Sequence, residues 1–301
     1  MKILVLGANG FIGSHALKYF RNIYPQTAGC DISMPKVPDE NFFLLDGLNP
    51  RFDKLFVQNT FDVCINASGS GSVSFSLRKP EEDYRLNTKN VFDILTAISR
   101  YNTRCRFLNF SSAAVYGNPE ELPVNEKSKT RPVSPYGFHK LISEQVCAEF
   151  FHLQGIRTCS MRVFSVYGEG LKKQLFWDIY QKTRQQFDVE LFGTGEETRD
   201  FIHVQDLMLA IECILKKSSF NADVINVASG NPVSITHVAS IITGIVPGIS
   251  IRFNNQFKQG DPVHLEADIS KLTSLGFEAK KSLNDGLTAY FNWAGVQTVE
   301  P

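Results

Sequence analysis

The chain has 301 residues, 43% hydrophobic and 21% charged, enough apolar content for a substantial core in one large domain or two moderate ones. Lys+Arg and Asp+Glu both total 31, so no net field invites nucleic acid or an anionic membrane, and any bound anion must be held by a local site. The six cysteines (Cys30, Cys64, Cys105, Cys147, Cys159, Cys213) are scattered without a CxxC motif, which reads as buried free thiols of a reducing compartment rather than disulfides or a metal site. The opening MKILVLGANG is broken by glycine too soon for a signal peptide, and no apolar run approaches a membrane span. The expectation is a soluble, cytoplasmic protein with neither membrane nor nucleic acid as partner.

In chain order, short apolar runs at residues 3–6, 61–67, 107–111, 157–163 and 224–227 alternate with helical spacing at 11–20, 83–100, 135–154 and 204–216. Strand and helix alternating in this way predict an α/β fold with a parallel sheet covered on both faces. Near-continuous apolar strands such as VCINA suit burial on both sides. Beyond about residue 166 the pattern loosens into turn-rich segments, predicting a smaller lobe. Residues 200–228 are expected to return one helix and one strand to the main sheet.

The first candidate site follows the first strand. KILVLG runs directly into GANGFIG, with Gly7, Gly10 and Gly13 ahead of a helix. Gly7 permits the tight turn, Gly10 lets the backbone approach a pyrophosphate, and Gly13 lets the helix pack close on the strand. The pyrophosphate then sits on the free N–H groups of the helix start, at Phe11, Ile12 and Gly13. A second strand-like stretch ends in GCDIS, placing Asp31 where a carboxylate accepts from a ribose 2′-OH and repels a 2′-phosphate. No arginine directly follows it, so NAD is favoured over NADP.

With GxxGxxG at the start, YxxxK in SPYGFHK (134–140) and a length near 300, the chain resembles the extended short-chain dehydrogenase/reductases. Within them it resembles the NAD-dependent nucleotide-sugar epimerase/dehydratase group. Further matching stretches are NFSSAAVYG (109–117), RVFSVYG (162–168), GTGEETRDFIHVQD (193–206) and GDP (260–262). The resemblance implies a Rossmann-type doubly wound parallel sheet over residues 1–165, rejoined by 200–228, with a smaller C-terminal substrate-binding lobe over 166–301. It also implies cofactor contacts from Asp46, Ala67 and Asn87, with Ser111 beside the site. The bland alternative for Asp46 is a turn carboxylate in LLDGLNP. Helices near 84–100 and 135–154 often pair in the family, which implies a homodimer.

The chemistry of SPYGFHK can be argued physically. Pro135 suits a helix start, and Tyr136 and Lys140, four apart, share one face. A free phenol has a pKa of about 10. A lysine ammonium and an oxidised nicotinamide, both positive, are expected to lower it by favouring the phenolate. Tyr136 could then exchange a proton with a sugar hydroxyl, and Lys140 could hold the nicotinamide ribose. Ser112, at the end of a strand, could bond the same substrate oxygen; by itself it would read as a strand-end cap.

Family members that dehydrate the sugar carry acidic residues just after this serine; here Ala113 and Ala114 stand there, and neither can move a proton. Two alanines suit a 4-epimerase or a 4-keto reductase, and the sequence leaves that choice open. A non-catalytic NAD-binding regulator is disfavoured because Ser112, Tyr136 and Lys140 are all present. On the substrate side the resemblance implies a nucleotide diphosphate sugar held by Arg199, Ser165, Lys258 and Asp261. Ser165 replaces the usual asparagine, and Lys258 stands where a second arginine is usual, keeping charge but losing the bidentate fork. The alternative for Arg199 is a pairing with Glu196 or Glu197. Phe176 or Trp177 could stack on a base, though packing is the favoured reading. His15, His139 and His203 read as structural, and His237 and His264 lack metal-ligand spacing.

Overall fold

The computed structural model describes residues 1–35, 37–256, 260 and 262–296. Its first half runs β1 (Ile3–Leu6), α1 (Phe11–Ile23), β2 (Ala28–Asp31), β3 (Phe42–Leu44), α2 (Asp53–Val57), β4 (Val63–Asn66), α3 (Val73–Arg78) and α4 (Pro80–Tyr84). A π-helical turn (Arg85–Lys89) leads into α5 (Asn90–Tyr101), then β5 (Arg106–Ser112), a 3-10 turn (Ala113–Val115) and α6 (Pro135–Gln154). The second half runs β6 (Thr158–Val163), β7 (Ser165–Tyr167), α7 (Gln174–Thr183), β8 (Asp188–Leu191), β9 (Thr198–His203), α8 (Val204–Lys217) and β10 (Asn221–Val227). It closes with β11 (Pro232–Ser234), α9 (Ile235–Ile245), β12 (Ser250–Phe253), β13 (His264–Leu265), α10 (Ser270–Ser274) and α11 (Leu283–Val296).

Because strand side chains alternate, ILVL sends Ile3 and Val5 to one face and Leu4 and Leu6 to the other. Both pairs are buried: the first in a core with α1 and α8, the second in a core with α2, α5 and α6. Each such side chain contributes roughly 1.5–3 kcal/mol. The expected doubly wound sheet is thus present, with seven parallel strands in the order β10-β6-β5-β4-β1-β2-β3. The order reverses at β1: the chain first winds outward to β2 and β3, then crosses to β4 on β1's other side. That reversal opens a crevice at the carboxyl end of β1, where open α/β sheets bind ligands. β10 lies against β6, with Val224 opposite Ser160 and Val227 opposite Val163.

The second half adds two small sheets, one of β11, β9 and β13 with β7 joined to β9, and one of β12 and β8. Their core is aromatic. Phe176 packs 5.0 Å from Phe201 and 5.2 Å from Tyr167, with Tyr290 and Phe291 beside it. Trp177 lies against Tyr180 and Trp293. Both Phe176 and Trp177 are therefore packing residues, as favoured over base stacking.

One expected element differs. Residues 83–100 read as a single helix, but the chain starts earlier, with Pro80 at the first position of α4, and breaks at the π-helical turn. There the Asn90 amide bonds back to the Arg85 carbonyl. The inserted residue shifts the helical register, and Asn87 and Thr88 are buried within this turn.

Candidate active site

The glycine loop is shaped by contacts that exclude side chains. Gly7 has φ +74, and a Cβ there would stand 2.7 Å from the Ala67 carbonyl oxygen. A Cβ on Gly13 would stand 1.9 Å from the Gly7 oxygen. Gly10 caps α1 without a side-chain bond, leaving the amides of Phe11, Ile12 and Gly13 at the helix start facing the crevice end of the sheet. Asp31 ends β2, and its carboxylate accepts from the Asn9 amide at 2.9 Å and the Ile32 amide at 2.7 Å. The Asn9 side chain donates to the Ser33 carbonyl at 2.8 Å. Asn9, which the sequence reading passed over, ties the glycine loop to the segment after β2. Asp46 is exposed after β3, where it accepts from the Leu48 amide at 2.8 Å, as a turn carboxylate does. Asn87 gives its amide nitrogen to Asp83 at 3.0 Å, while its oxygen is buried without a partner among the described residues. The glycine cradle, the Asp31 carboxylate and this unpaired acceptor fit a dinucleotide.

Ser134 caps α6 by accepting from the Gly137 amide at 3.2 Å, with Pro135 at the first helical position. The Tyr136 amide donates to Ser76 Oγ at 3.1 Å, pinning the helix start to α3. Gly137 is needed because a Cβ there would meet the Ala114 oxygen at 2.6 Å. These contacts, missed in the sequence, press the start of α6 against the end of β5. Tyr136 is thereby brought beside Ser112, whose hydroxyl pulls the phenol down. Ser112 also accepts from the Ala114 amide at 3.2 Å, so it is a strand-end cap as well.

Lys140 is 6% exposed, and its Nζ donates to the Phe110 carbonyl at 2.8 Å while lying 5.8 Å from the centre of the Tyr136 ring. Burial drives its ammonium down to about 8, with Asp83 pulling it back up. Burial likewise pushes the Tyr136 phenol up to about 12; the Ser112 bond pulls it down and the Asp83 charge pushes it up. The expected lowering is by Lys140 and an oxidised nicotinamide together; in the protein alone burial raises the phenol. The ammonium is spent on a main-chain oxygen, and burial of the phenol outweighs it.

Ser111 points elsewhere. Its hydroxyl donates to Glu144, one turn beyond Lys140 on α6. Glu144 takes the Arg162 fork at 2.8 and 3.0 Å. Arg162 donates to the Tyr116 hydroxyl at 3.0 Å, which donates to Asn226 at 2.6 Å. This buried chain joins β5, α6, β6 and β10 and keeps the Ser111 side chain out of the crevice.

On the lobe side, Ser165 opens β7, opposite Phe201. Arg199 on β9 donates to the carbonyls of Pro262 at 2.6 Å and of Val263 at 2.8 Å, so part of its fork holds main chain. Glu197 accepts from the amides of Thr194 and Gly195 at 2.8 and 2.9 Å. Lys258 and Asp261 lie outside the described residues.

A parallel sheet reversing at its first strand, a glycine cradle there, and a Ser–Tyr–Lys cluster at the carboxyl end of β5 define a dinucleotide-dependent hydride-transfer fold. Residues 3–228 match the model of the NAD dependent epimerase/dehydratase family, and the chain belongs to that family. It is an NAD-dependent enzyme. It is similar to a putative UDP-glucose 4-epimerase of Methanocaldococcus jannaschii, 27% identical over 97% of each chain. It is 26% identical to the UDP-glucose 4-epimerase of Lactobacillus helveticus, again over 97% of each. The crystal structure of UDP-glucuronic acid 4-epimerase from Bacillus cereus, in complex with UDP-glucuronic acid and NAD, superimposes with a TM-score of 0.89 at 26% identity. That match covers 99% of this chain and 100% of the other.

Proposed function

We propose that this chain is a nucleotide-sugar 4-epimerase that inverts C4 through a 4-keto sugar. The observation that carries the proposal is Tyr136 with Lys140 5.8 Å from its ring and Ser112 at the adjoining end of β5, followed by two alanines where a dehydratase needs acids. Bound NAD supplies a hydride acceptor and donor at C4. As the phenolate that the positive nicotinamide would favour, Tyr136 would take the proton from the C4 hydroxyl and return it, with Ser112 holding the same oxygen in line. Lys140 supplies positive charge under the phenol and a donor for a ribose hydroxyl. Gly7, Gly10, Gly13 and the amides of Phe11 and Ile12 seat the pyrophosphate, Asp31 takes the adenine ribose, and Asp46, Ala67 and Asn87 line the remaining cofactor surface.

The relative solved with UDP-glucuronic acid supports a uridine diphosphate sugar as substrate class, with residues 166–301, apart from 200–228, forming its lobe. Ser165 and Arg199 are assigned to the substrate side, Arg199 also holding the 262–263 segment in place. Exposed Phe92, Phe138 and Leu153 on α5 and α6 support a homodimer through these helices. Six free cysteines support a reducing, cytoplasmic setting.

The test is Tyr136→Phe with UDP-sugars, followed by NMR of the C4 configuration. Turnover should fall by about 10²-fold or more while NAD binding persists; surviving activity would overturn the mechanism. Net consumption of NADH with a 4-keto sugar, in place of C4 inversion, would make the chain a reductase.

A further inference from the structure

Asp83, on α4, is fully buried. One oxygen accepts from the Asn87 side-chain nitrogen at 3.0 Å and the other is 2.6 Å from His139 Nδ1. His139 directly precedes Lys140 on α6, and its ring stands edge-on to Tyr84, 5.4 Å between centres. Since an amide has a donor end and an acceptor end, tying its nitrogen to Asp83 fixes where its oxygen goes. That oxygen is aimed at Gly69, where a Cβ would stand only 2.6 Å away. Gly69 has φ +104 and follows β4 at the crevice, two residues after Ala67. The result is an acceptor buried without a partner at the edge of the crevice, beside a buried carboxylate.

We propose that Asp83 is a positioning residue that locks Asn87 with its oxygen toward the cofactor crevice and biases the site toward the oxidised, positively charged nicotinamide over the reduced, neutral one. The proposal rests on the hydride-transfer reading of Tyr136 and Lys140. Its physical basis is that a charge in a buried site is weakly screened, so removing it acts on the cationic ligand and not on the neutral one. The same charge opposes ionisation of the Tyr136 phenol and favours the charged form of Lys140, after burial in both. His139 keeps the carboxylate hydrogen-bonded on the side away from Asn87. The sequence reading treated His139 as purely structural and did not single out Asp83.

The experiment compares dissociation constants of NAD+ and NADH for cofactor-stripped full-length protein, by calorimetry and by nucleotide fluorescence. Asp83→Asn keeps the shape and removes the charge. It should weaken NAD+ relative to NADH by about tenfold, as expected for loss of a weakly screened buried charge. His139→Gln, which leaves a donor for a charged Asp83, should hold the wild-type ratio. If Asp83→Asn does not accumulate as folded protein, Asp83→Ser supplies the neutral variant in the same assay. An unchanged ratio, or equal weakening of both nucleotides, would overturn the proposal, since a merely structural role moves the two together. Wild-type protein that binds neither nucleotide would instead refute the underlying hydride-transfer reading.

Discussion

Replacing Arg162 by methionine tests what holds α6 to the sheet. Arg162 is 5% exposed and Glu144 8%, and between them run guanidinium–carboxylate bonds of 2.8 and 3.0 Å. The Glu144 pairing holds the guanidinium well above its ordinary range despite the opposing effect of burial. Arg162→Met leaves the Glu144 carboxylate inside the protein with the Ser111 hydroxyl still donating to it, and takes a donor from Tyr116. Removing one partner of such a pair typically costs about 3–5 kcal/mol, because the other charge stays buried. Against a total stability of roughly 5–15 kcal/mol this is a large fraction. Thermal unfolding should move down by roughly 6 °C or more.

The assay is urea unfolding followed by circular dichroism, run on Arg162→Met, Glu144→Leu and the double variant. The double variant removes both charges, and should recover much of the loss, since apolar replacement of a whole buried pair is often near neutral. A single-variant loss below about 1 kcal/mol would place the pair in the surface regime and refute the reasoning. So would a double variant no more stable than Arg162→Met.

Gly13→Ala should be among the most damaging single-methyl changes, because its Cβ would stand 1.9 Å from a backbone oxygen that cannot move aside. We expect a stability loss at or above the usual 1–3 kcal/mol of overpacking and weakened NAD retention, read by unfolding and by cofactor titration. Burial raises the thiols of Cys30 and Cys159 to about 12 and those of Cys64, Cys105 and Cys147 in the same direction. Unfolded thiols ionise near 9 while the folded ones stay protonated, so the unfolded state binds fewer protons there and stability must fall as pH rises from about 9. Lys140, lowered to about 8, works the other way between about 8 and 10.5, but it is one group against five. Urea midpoints from pH 8 to 11 check the net sign; a midpoint that rises steadily through this range would contradict it.

How much of this was legible in the sequence depends on the range of the interaction concerned. The sheet could be read because strands buried on both faces need continuous apolar runs, as in ILVL and VCIN. The glycine cradle could be read because Gly13 is excluded from bearing a side chain by Gly7 and Ala8 within the same strand–turn–helix unit, although Gly7 itself is crowded by Ala67 and Ser68 after β4. The π-helical turn could not: one inserted residue barely disturbs a 3.6-residue period, yet it accompanies the burial of Asn87. The lobe was unreadable in detail because its strands are only two to six residues long and its core is aromatic rather than periodic. Arg199 illustrates the limit for side chains, since its partners Pro262 and Val263 are 63 and 64 positions away.

SPYGFHK spans both sides of that limit. The proline and the four-residue spacing of Tyr136 and Lys140 are local, and they are found where the sequence places them. The protonation states of those same groups are set by burial and by Asp83, which is 56 positions from His139 in sequence and 2.6 Å away in space. Helical spacing therefore specifies which side chains meet, whereas the packing around them sets the charge each one carries. In this fold burial raises the Tyr136 phenol and lowers the Lys140 ammonium, so each is driven toward its neutral form. A positive charge arriving above the phenol would counter the first shift, and the buried Asp83 carboxylate already counters the second. The site is thus poised for proton exchange by its buried charges as much as by the motif itself.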